Sequence, residues 1–499
     1  MEVQHMSSNA PYVLAQKKQL LKGGSKEAVE AQRSAGKQTA RERVNAIIDE
    51  ATFVEIDVFA SSRANEFTAE IPCEGLIAGF GTIRNRPVYI YSQDYTVMNG
   101  SVGKANGEKI CKVMKMAAEN GVPIIGVLDC AGARVGEGVD ALDAYAKIFN
   151  MASAIKGVVP QVSLVLGPCI GACAIAARIS DVVLGVTNIS SMGAHSAYVY
   201  DAIEGKADGS DICSAEYCEK DSGLIDVVYD SETSCVAGLK SLLSYLPSSC
   251  CDAPVDACQD DLNRDIPEFD AFMDAEYDVC DVVAKIADNN SVFELAPKFS
   301  SSVVTSFIKI NGNTIGVVAN QAKESESLEL FGIIKATKFI ETCDLMGIPL
   351  LTLVDNKGLS KSTCGELHGI VTESAKLVQA YSNAVVPKVS LVLNNAIGSG
   401  YAVMASKSLG IDMVYAWPNA QISAMDAESS AQVVYSKEIA ESDNPIAARQ
   451  EYAEKFAKYS ANPINAAKSG LIDDIIDPIN TRPILVAAFE MLGFSDGCC

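Results

Sequence analysis

Histidine, tryptophan and long apolar runs are scarce in this sequence. Three histidines and one tryptophan occur among 499 residues, so a histidine-rich metal site is not expected. No apolar run reaches the roughly 18 to 20 residues that a membrane-spanning helix needs. The first ten residues lack a basic segment followed by an apolar stretch. A secretory signal is therefore not predicted, and a cytoplasmic location is expected.

Cysteine is plentiful, but its spacing excludes two common uses. Sixteen cysteines are present, and none of them form the Cys-x-x-Cys pairs that are typical of zinc sites. Many, such as Cys111, Cys130, Cys169 and Cys173, lie in apolar segments, as buried free thiols do. The sequence therefore predicts reduced structural cysteines, no disulfide framework and no metal.

Basic residues are fewer than acidic ones, except in one segment. The net charge of −23 argues against nucleic acid as a partner, because phosphates would be repelled. Residues 17–43 are the exception, with eight basic residues against three glutamates. Two interpretations stay open for this segment: a solvated helical face, or a contact with the phosphates of an anionic ligand. The basic residues are Lys17, Lys18, Lys22, Lys26, Arg33, Lys37, Arg41 and Arg43.

An internal repeat is the strongest pattern in the chain. The segment VVPQVSLVLGPCIGACA around Pro160 matches VVPKVSLVLNNAIGSGYA around Pro387, which lies 227 residues further on. Upstream, Asp129 and Asp355 end matching segments and are 226 residues apart. Downstream, SSMGA matches SAMDA. Blocks that recur in the same order at nearly constant spacing indicate a fused duplication.

Each copy alternates helical segments with short, uniformly apolar runs such as PIIGVLD and QVSLVL. Such runs are typical of parallel strands buried on both faces, so an α/β fold is predicted. Residues 248–270 carry several acids, two prolines and no clear period, which indicates an interdomain linker. The predicted domains are residues 1–250 and 251–499.

The turn that follows the second buried strand of each copy is the candidate site. GPCIGACA and NAIGSGYA place small residues where a strand ends and a helix begins. Such a turn presents free backbone N–H groups and the positive end of a helix dipole, and it lets a ligand approach closely. These groups could hold an oxyanion without a side-chain acid or base. Tight strand–helix packing is the alternative explanation for the small residues.

Several blocks in the same order resemble the biotin-dependent carboxyltransferase family. They include QTARERVNAIIDEATFVEID, CAGARVGEGVDAL, VPQVSLVLGPCIGACA and YAWPNAQISAMDAE. The family contains the β subunits of propionyl-CoA and acetyl-CoA carboxylases and the α subunits of methylmalonyl-CoA and glutaconyl-CoA decarboxylases. The resemblance covers roughly residues 35–490, and it implies two tandem crotonase-like domains (the ClpP/crotonase fold).

This resemblance also implies roles for the two domains. Residues 1–250 would bind the acyl-CoA, and residues 251–499 would bind biotin. Gly171 and Ala172 would supply N–H groups to the thioester carbonyl, and Gly398 and Ser399 to the biotin ureido oxygen. Two further residues, Gly132 and Ala133, would line the CoA pocket. Ala402 occupies the position that influences the choice of acyl chain.

Partners follow from the same resemblance. Biotin would arrive on a separate biotin carboxyl carrier protein, because the chain has no suitable biotinylation motif. The other subunit would be a biotin carboxylase or a sodium-pumping membrane decarboxylase subunit, with this chain peripheral to the membrane in the second case. A homo-oligomer (a dimer-based hexamer) or a hetero-oligomer with a paralogue is expected.

The sequence departs from the family pattern at the site itself. Ala172 and Ser399 each replace the second glycine of a turn, and an alanine or serine there loses easy access to positive φ. VDNKGLSKSTCG replaces the VDVPGFLPG pattern near Lys357, and MDAESSA replaces MGAEGA, placing Asp426 and Ser429 there.

Three functions remain open. The first is a carboxyltransferase that moves a carboxyl group between biotin and the α-carbon of a small acyl-CoA. The second, motivated by the altered turns, is a non-catalytic structural paralogue within such a complex. The third is a crotonase-type hydratase or isomerase, which is disfavoured because no carboxylate follows either turn in the sequence.

Overall fold

A computed structural model of the chain describes residues 10–61, 71–204, 212–250, 252, 257–258, 260–273 and 275–493. The chain divides into two compact units, Met1–Ser249 and Cys250–Cys499. Among the described residues, no helix combines the length and the apolar character needed to cross a bilayer.

The described residues of the first unit form one mixed sheet of eight strands. Its strands are β1 (Val54–Glu55), β2 (Leu76–Ile83), β3 (Arg86–Gln93), β4 (Ile124–Cys130), β5 (Gln161–Ile170), β6 (Val182–Val186), β7 (Ser191–Gly193) and β8 (Val227–Tyr229). The strand order is β1-β2-β3-β4-β5-β6-β8, and β7 pairs with the end of β5. Its helices are α1 (Ala10–Leu20), α2 (Lys26–Ser34), α3 (Ala40–Ile47), α4 (Lys104–Asn120), α5 (Val139–Ala154), α6 (Ala172–Ile179), α7 (Ala197–Glu204), α8 (Ala215–Lys220) and α9 (Glu232–Leu242).

The second unit contains a sheet of the same design. Its strands are β9 (Val292–Leu295), β10 (Val303–Ile310), β11 (Asn313–Asn320), β12 (Leu350–Asn356), β13 (Lys388–Ile397), β14 (Met413–Ala416), β15 (Gln421–Ser423) and β16 (Asp474–Ile475). The order is β16-β14-β13-β12-β11-β10-β9, with β15 paired to β13. Its helices are α10 (Phe269–Phe272), α11 (Val279–Ile286), α12 (Leu330–Leu345), α13 (Thr363–Leu367), α14 (Ile370–Asn383), α15 (Gly398–Val403), α16 (Ala427–Val434), α17 (Ser436–Glu441), α18 (Pro445–Tyr459), α19 (Pro463–Lys468) and α20 (Thr481–Leu492).

The two sheets correspond strand for strand, which confirms the predicted duplication. β1 to β8 of the first sheet occupy the places of β9 to β16 in the second. Asp129 lies in β4 and Asp355 in β12, the equivalent strand. Both strands are buried along their whole length, as their uniformly apolar sequences predict.

Each sheet is mixed, however, and not wholly parallel. β1, β2 and β3 pair antiparallel, as do β9, β10 and β11. A two-residue turn joins β2 to β3 at Arg84 and Asn85 (φ 51° and 65°), and Asn311 and Gly312 (φ 51° and 74°) join β10 to β11. A connection this short can only join antiparallel neighbours, and positive φ at both residues matches the strand twist. The Asn311–Gly312 pair is the kind of dipeptide that marks such a hairpin in a sequence.

Part of the predicted linker packs as an ordered piece of the second unit. Residues 251, 253–256 and 259 of that segment lie outside the described residues. Beyond them, the Ile266 N–H donates to Ile479 O at 2.9 Å. Arg482, which is fully buried, donates to Asp261 O at 3.2 Å and to Asp288 Oδ1 at 2.7 Å. Residues from 260 onwards are therefore not a free linker.

Trp417 is the single tryptophan of the chain, and its indole N–H is fully buried. It donates to Thr481 Oγ1 at 3.0 Å. We expect Thr481→Val to destabilise the second unit by about 1–3 kcal/mol, because a buried donor loses its acceptor. Tryptophan fluorescence during urea unfolding measures this change, since the only tryptophan lies in that unit. Thr342→Val is the control: its hydroxyl bonds a helix carbonyl, Lys338 O, and a clearly smaller shift is expected. Equal shifts would contradict the prediction.

Candidate active site

The two turns named by the sequence have matching backbone geometry. Gly171, after β5, has φ +66°, and Gly398, after β13, has φ +58°. A Cβ at Gly171 would lie 3.7 Å from Ala194 O, and one at Gly398 would lie 3.2 Å from Ala424 O. Both positions therefore need glycine, because other residues rarely adopt these φ angles. In each unit the turn lies next to the carbonyl of the residue that follows the short paired strand, β7 or β15.

The replaced second glycines lie where glycine is not required. Ala172 is the first residue of α6, and Ser399 is the second residue of α15. Neither belongs to the residues with positive φ. The left-handed conformation is confined to Gly171 and Gly398, which are retained, so the substitutions leave the turns intact.

Only some of the N–H groups at the first turn are available to a ligand. The Gly171 N–H donates to Gly193 O at 2.9 Å, within the pairing of β5 and β7. In this conformation it is not a free donor. The Ala172 N–H begins α6 and has no acceptor among the described residues, as the first turn of a helix leaves it. Gly171 therefore shapes the turn, and Ala172 presents the donor.

A second loop lies beside the first turn. It follows β4 and contains Gly132 (φ +112°), at which a Cβ would lie 4.0 Å from Ile170 O. Val102 pairs with Ala133 through two bonds, from the Val102 N–H to Gly132 O (3.0 Å) and from the Arg134 N–H to Val102 O (2.8 Å). This pairing leaves the N–H of Ala133, an exposed residue, without an acceptor in the part of the chain that the structure describes. Two free donors, at Ala133 and Ala172, are thus carried by adjacent segments.

The second unit repeats this loop despite the loss of its Pro-Gly-Phe sequence. Gly358 has φ +115°, and a Cβ there would lie 3.8 Å from Ile397 O. Leu359 pairs with Leu328 just as Ala133 pairs with Val102. The loop thus has the left-handed glycine and the backbone pairing of its counterpart in the first unit, with Lys357 where the family pattern has a proline.

A buried charge cluster lies behind the first turn and was not predicted. Arg43 donates to Asp129 Oδ2 at 2.7 Å, to Glu232 Oε1 at 2.8 Å and to Leu166 O at 2.6 Å. Lys37 adds a bond to Asp129 Oδ1 at 2.9 Å. Burial lowers the pKa of the Arg43 guanidinium, but its bonds to Glu232 and Asp129 outweigh burial and raise the pKa.

This cluster limits one interpretation of the basic segment. Lys37 and Arg43 are committed to Asp129 inside the first unit, and Arg41 pairs with Glu55 at 2.8 Å. These three residues are therefore not free to meet CoA phosphates. The contacts of Lys37 and Arg43 with Asp129 join residues 92 and 86 positions apart in the sequence, so a local pattern carried no signal for these two.

Asp355 occupies the equivalent place in the second unit with different partners. Its Oδ2 accepts from the Tyr277 hydroxyl at 2.8 Å. Its Oδ1 accepts from both the backbone N–H and the side-chain amide of Asn395, each at 2.9 Å. The second unit thus stabilises its strand-end carboxylate with neutral donors, where the first unit uses cations.

A polar cleft of about 750 Å³ opens next to the second turn. Lys357 pairs with Glu326 at 2.6 Å. Asp426 caps α16 by accepting from the Ser429 N–H at 2.8 Å, and this bond lowers the pKa of Asp426. The altered MDAESSA segment therefore begins a helix. The lining residues are Glu326, Ser327, Lys357, Lys361, Asn394, Asn395, Ile397, Gln421, Asp426, Ala427, Glu428, Ser429 and Arg449.

Three of the four cysteines named as buried thiols pack around the first turn, whereas Cys111 on α4 is only partly buried. Cys169 and Cys173 have their sulfurs 3.4 Å apart, and both residues are buried with Cys130. The contact with Cys173, together with burial, raises the pKa of the Cys130 thiol. All cysteines within the described ranges are free thiols. In the same ranges, no group of three or more histidine, cysteine or acidic side chains is arranged to hold a metal ion.

Ala402 lies on the helix that follows the second turn, and His195 follows β7. Ala402 is exposed on α15, one turn beyond Ser399. At the equivalent place on α6, Ile175 is 57% exposed. His195 packs edge-on against Tyr200 at 6.1 Å between ring centroids, and its carbonyl accepts from the Cys213 thiol.

Residues 31–493 match the family of the carboxyl transferase domain. The chain belongs to this family. It is 38% identical over 486 residues to methylmalonyl-CoA decarboxylase subunit alpha of Propionigenium modestum. The aligned region covers 95% of this chain and 94% of that relative. It is 36% identical over 493 residues to the putative propionyl-CoA carboxylase beta chain of Bacillus subtilis, covering 98% and 97% of the two chains.

Among solved structures, the carboxyltransferase chain is similar to transcarboxylase 12S. The TM-score is 0.93 at 35% sequence identity, with 98% of this chain and 96% of that one covered. That structure is described as a hexamer assembly with methylmalonyl-CoA and methylmalonic acid bound. These findings confirm the predicted fold class, two tandem crotonase-like domains, and the predicted enzyme class, a carboxyltransferase.

Proposed function

We propose that this carboxyltransferase moves a carboxyl group between biotin, held on a separate carrier protein, and the α-carbon of a small acyl-CoA. The acyl-CoA would be of the propionyl-CoA/methylmalonyl-CoA type or the acetyl-CoA/malonyl-CoA type. The observation that carries the proposal is the pair of equivalent strand-to-helix turns, each with a left-handed glycine, at Gly171 and Gly398. The reaction brings together two carbonyl compounds, and each turn would hold one carbonyl oxygen.

In the first unit, the Ala172 and Ala133 N–H groups would bind the thioester oxygen. Removal of a proton or of CO₂ from the α-carbon places negative charge on that oxygen, and fixed N–H dipoles stabilise the charge without reorganising. The dipole of α6 adds to this field, since Ala172 stands at its positive end. Gly171 sets the direction of the turn, and Gly132 gives the ligand close access to the loop backbone.

In the second unit, Gly398 and Ser399 would face the ureido oxygen of biotin. The adjoining cleft fits this group, because the Asn394, Gln421 and Ser429 side chains that line it offer the amide and hydroxyl partners that a ureido ring needs. When bound, biotin supplies the nitrogen that carries the carboxyl group and the base for the α-proton. The chain then needs no catalytic carboxylate, in keeping with α6 (ACAIAARI) and α15 (GSGYAV), which contain none.

The partners of this chain would be those of its relatives. A biotin carboxyl carrier protein would visit the second unit, and either a biotin carboxylase or a sodium-pumping decarboxylase subunit would complete the system. A dimer-based hexamer is favoured by the likeness to transcarboxylase 12S, whose structure is a hexamer. The small Ala402 leaves the acyl group open between the two types.

The alternative of a non-catalytic paralogue loses its main support. It rested on the lost glycines and the lost Pro-Gly-Phe sequence. Ala172 and Ser399 lie at helical positions, and Gly358 retains a φ of +115° against +112° at Gly132. We therefore favour an active subunit.

The test is decarboxylation of methylmalonyl-CoA and malonyl-CoA by the purified chain, with and without free biotin. Biotin-dependent release of CO₂ is expected, with one thioester preferred. A folded oligomer that turns over neither thioester would count against the proposal and in favour of the paralogue. Release of CO₂ without biotin would contradict carboxyl transfer to biotin and would point to a biotin-independent crotonase-type reaction.

A further inference from the structure

The loop that carries Ala133 is held by a buried arginine. Arg134 Nη1 donates to Glu74 Oε2 at 2.7 Å and to Glu137 Oε1 at 2.9 Å. Its Nη2 reaches Ser101 O at 3.1 Å and Glu74 O at 3.3 Å. The three charged side chains are only 1–2% exposed. The guanidinium thus ties the residue next to Ala133 to two separate segments of the first unit, at Glu74 and Ser101, and to Glu137 of its own loop.

The acid that receives Arg134 lies in strained backbone. Cys73, Glu74 and Gly75 all have positive φ, at 50°, 59° and 68°. Consecutive non-glycine residues in this region are rare, and the surrounding structure must compensate for them. α4 does so here, because Asn106 donates to Glu74 O at 2.9 Å and Lys109 to Cys73 O at 3.4 Å. The strain turns the Glu74 carboxylate into the interior, opposite Arg134.

The second unit provides an internal comparison. Its equivalent loop closes with the same two backbone bonds, from the Leu328 N–H to Gly358 O and from the Ser360 N–H to Leu328 O, each 2.9 Å long. Ser360 stands in the place of Arg134, so this loop has no arginine at that position. The second unit therefore closes its loop without a buried guanidinium. The ion pairs of Arg134 serve a purpose that exists only in the first unit.

Resting on the function proposed above, we propose that Arg134 is a positioning residue that fixes the Ala133 N–H against the thioester oxygen. The α-carbon reacts in the first unit, so the charge that must be stabilised develops at this loop. An N–H displaced by about 1 Å loses much of its effect, and such a displacement can cost on the order of 100-fold in rate. Glu74 and Glu137 fix Arg134 and thereby the backbone before it.

The test compares Arg134→Lys with Arg86→Lys in the full chain. Lysine keeps the charge at position 134, but it lacks the planar fork that reaches Glu74 and Ser101 together. Arg86 is the matched control: it donates to Leu243 O and Leu246 O at 2.6 and 2.8 Å, at the opposite end of β3 from the site. Steady-state decarboxylation of methylmalonyl-CoA with free biotin gives kcat and both KM values. Hydrogen–deuterium exchange of peptides from residues 131–138 reports the loop itself.

For Arg134→Lys we expect kcat to fall about 10- to 100-fold, with both KM values within threefold and faster exchange in the loop. Arg86→Lys should keep kcat and loop exchange. Unchanged kcat in Arg134→Lys would overturn the proposal. The proposal would also be overturned if the activity of each variant fell only in proportion to its folded fraction, because the loss would then reflect folding alone. Should Arg134→Lys fail to fold, Glu137→Gln gives the same comparison with one ion pair removed. If the wild-type chain decarboxylates no thioester, the proposed function fails, and loop exchange decides the positioning: an unchanged rate in the variant overturns it.

Discussion

Replacing Arg43 by leucine is expected to destabilise the first unit by about 3–5 kcal/mol. Arg43 is 1% exposed and makes ion pairs with Asp129 and Glu232, of which the first is fully buried. Removing one member of a buried ion pair leaves the other charge in a medium that does not solvate it, and this is the origin of the large cost. Glu232 loses its guanidinium entirely, while Asp129 keeps the contact with Lys37.

Arg41→Leu provides the control for this prediction. Arg41 lies two residues away on α3 and pairs with Glu55 at 2.8 Å, but its side chain is 33% exposed. A partly hydrated pair of this kind contributes about 1 kcal/mol or less. Urea unfolding followed by far-UV circular dichroism measures both variants. A midpoint for Arg43→Leu no lower than that of Arg41→Leu would show that the buried cluster does not stabilise the unit as we infer.

The repeat in the sequence predicted much of the fold, because it reports on elements that are buried in both copies. Asp129 and Asp355 end equivalent strands, and the two turns at Gly171 and Gly398 share one backbone conformation. A parallel strand buried on both faces needs an apolar run, and a left-handed turn needs glycine, so both leave local marks in a sequence. The duplication then showed which of these apolar runs and glycines occur in both copies.

The partners of the buried polar groups could not be predicted in this way. Arg43 and Asp129 are 86 residues apart, and the sequence around neither residue indicates the other as its partner. Likewise, the sequence named Gly171 as a donor, whereas β7 supplies the carbonyl that occupies its N–H. Such pairings depend on which strands become neighbours, and the composition of a segment does not record that. The Asn311–Gly312 turn, by contrast, is a local hairpin signal that a sequence does show.

Replacing Ala172 with proline removes the N–H donor at the first turn but keeps the helix that carries it. Proline has no N–H, yet it fits the first position of a helix, where that N–H has no intrahelical partner. Gly171 precedes it with φ 66° and ψ −127°, outside the helical region that a following proline disfavours. We expect kcat for methylmalonyl-CoA decarboxylation with biotin to fall by about 100- to 1,000-fold, as for loss of one oxyanion donor. The KM for the thioester should change little, because the oxyanion is bound mainly in the transition state.

Two comparison variants determine what such a loss means. Lys26→Pro places proline at the first position of α2, after an N-cap residue with φ −63° and ψ 161°, and it should keep wild-type kcat. Ala172→Ser retains the N–H at the turn and should stay within a few-fold of wild type. If Ala172→Pro keeps its activity while its melting temperature is unchanged, the Ala172 N–H does not bind the reacting oxygen. The donor at this carbonyl would then have to be the Ala133 N–H alone, and Arg134 would become the more damaging residue to change.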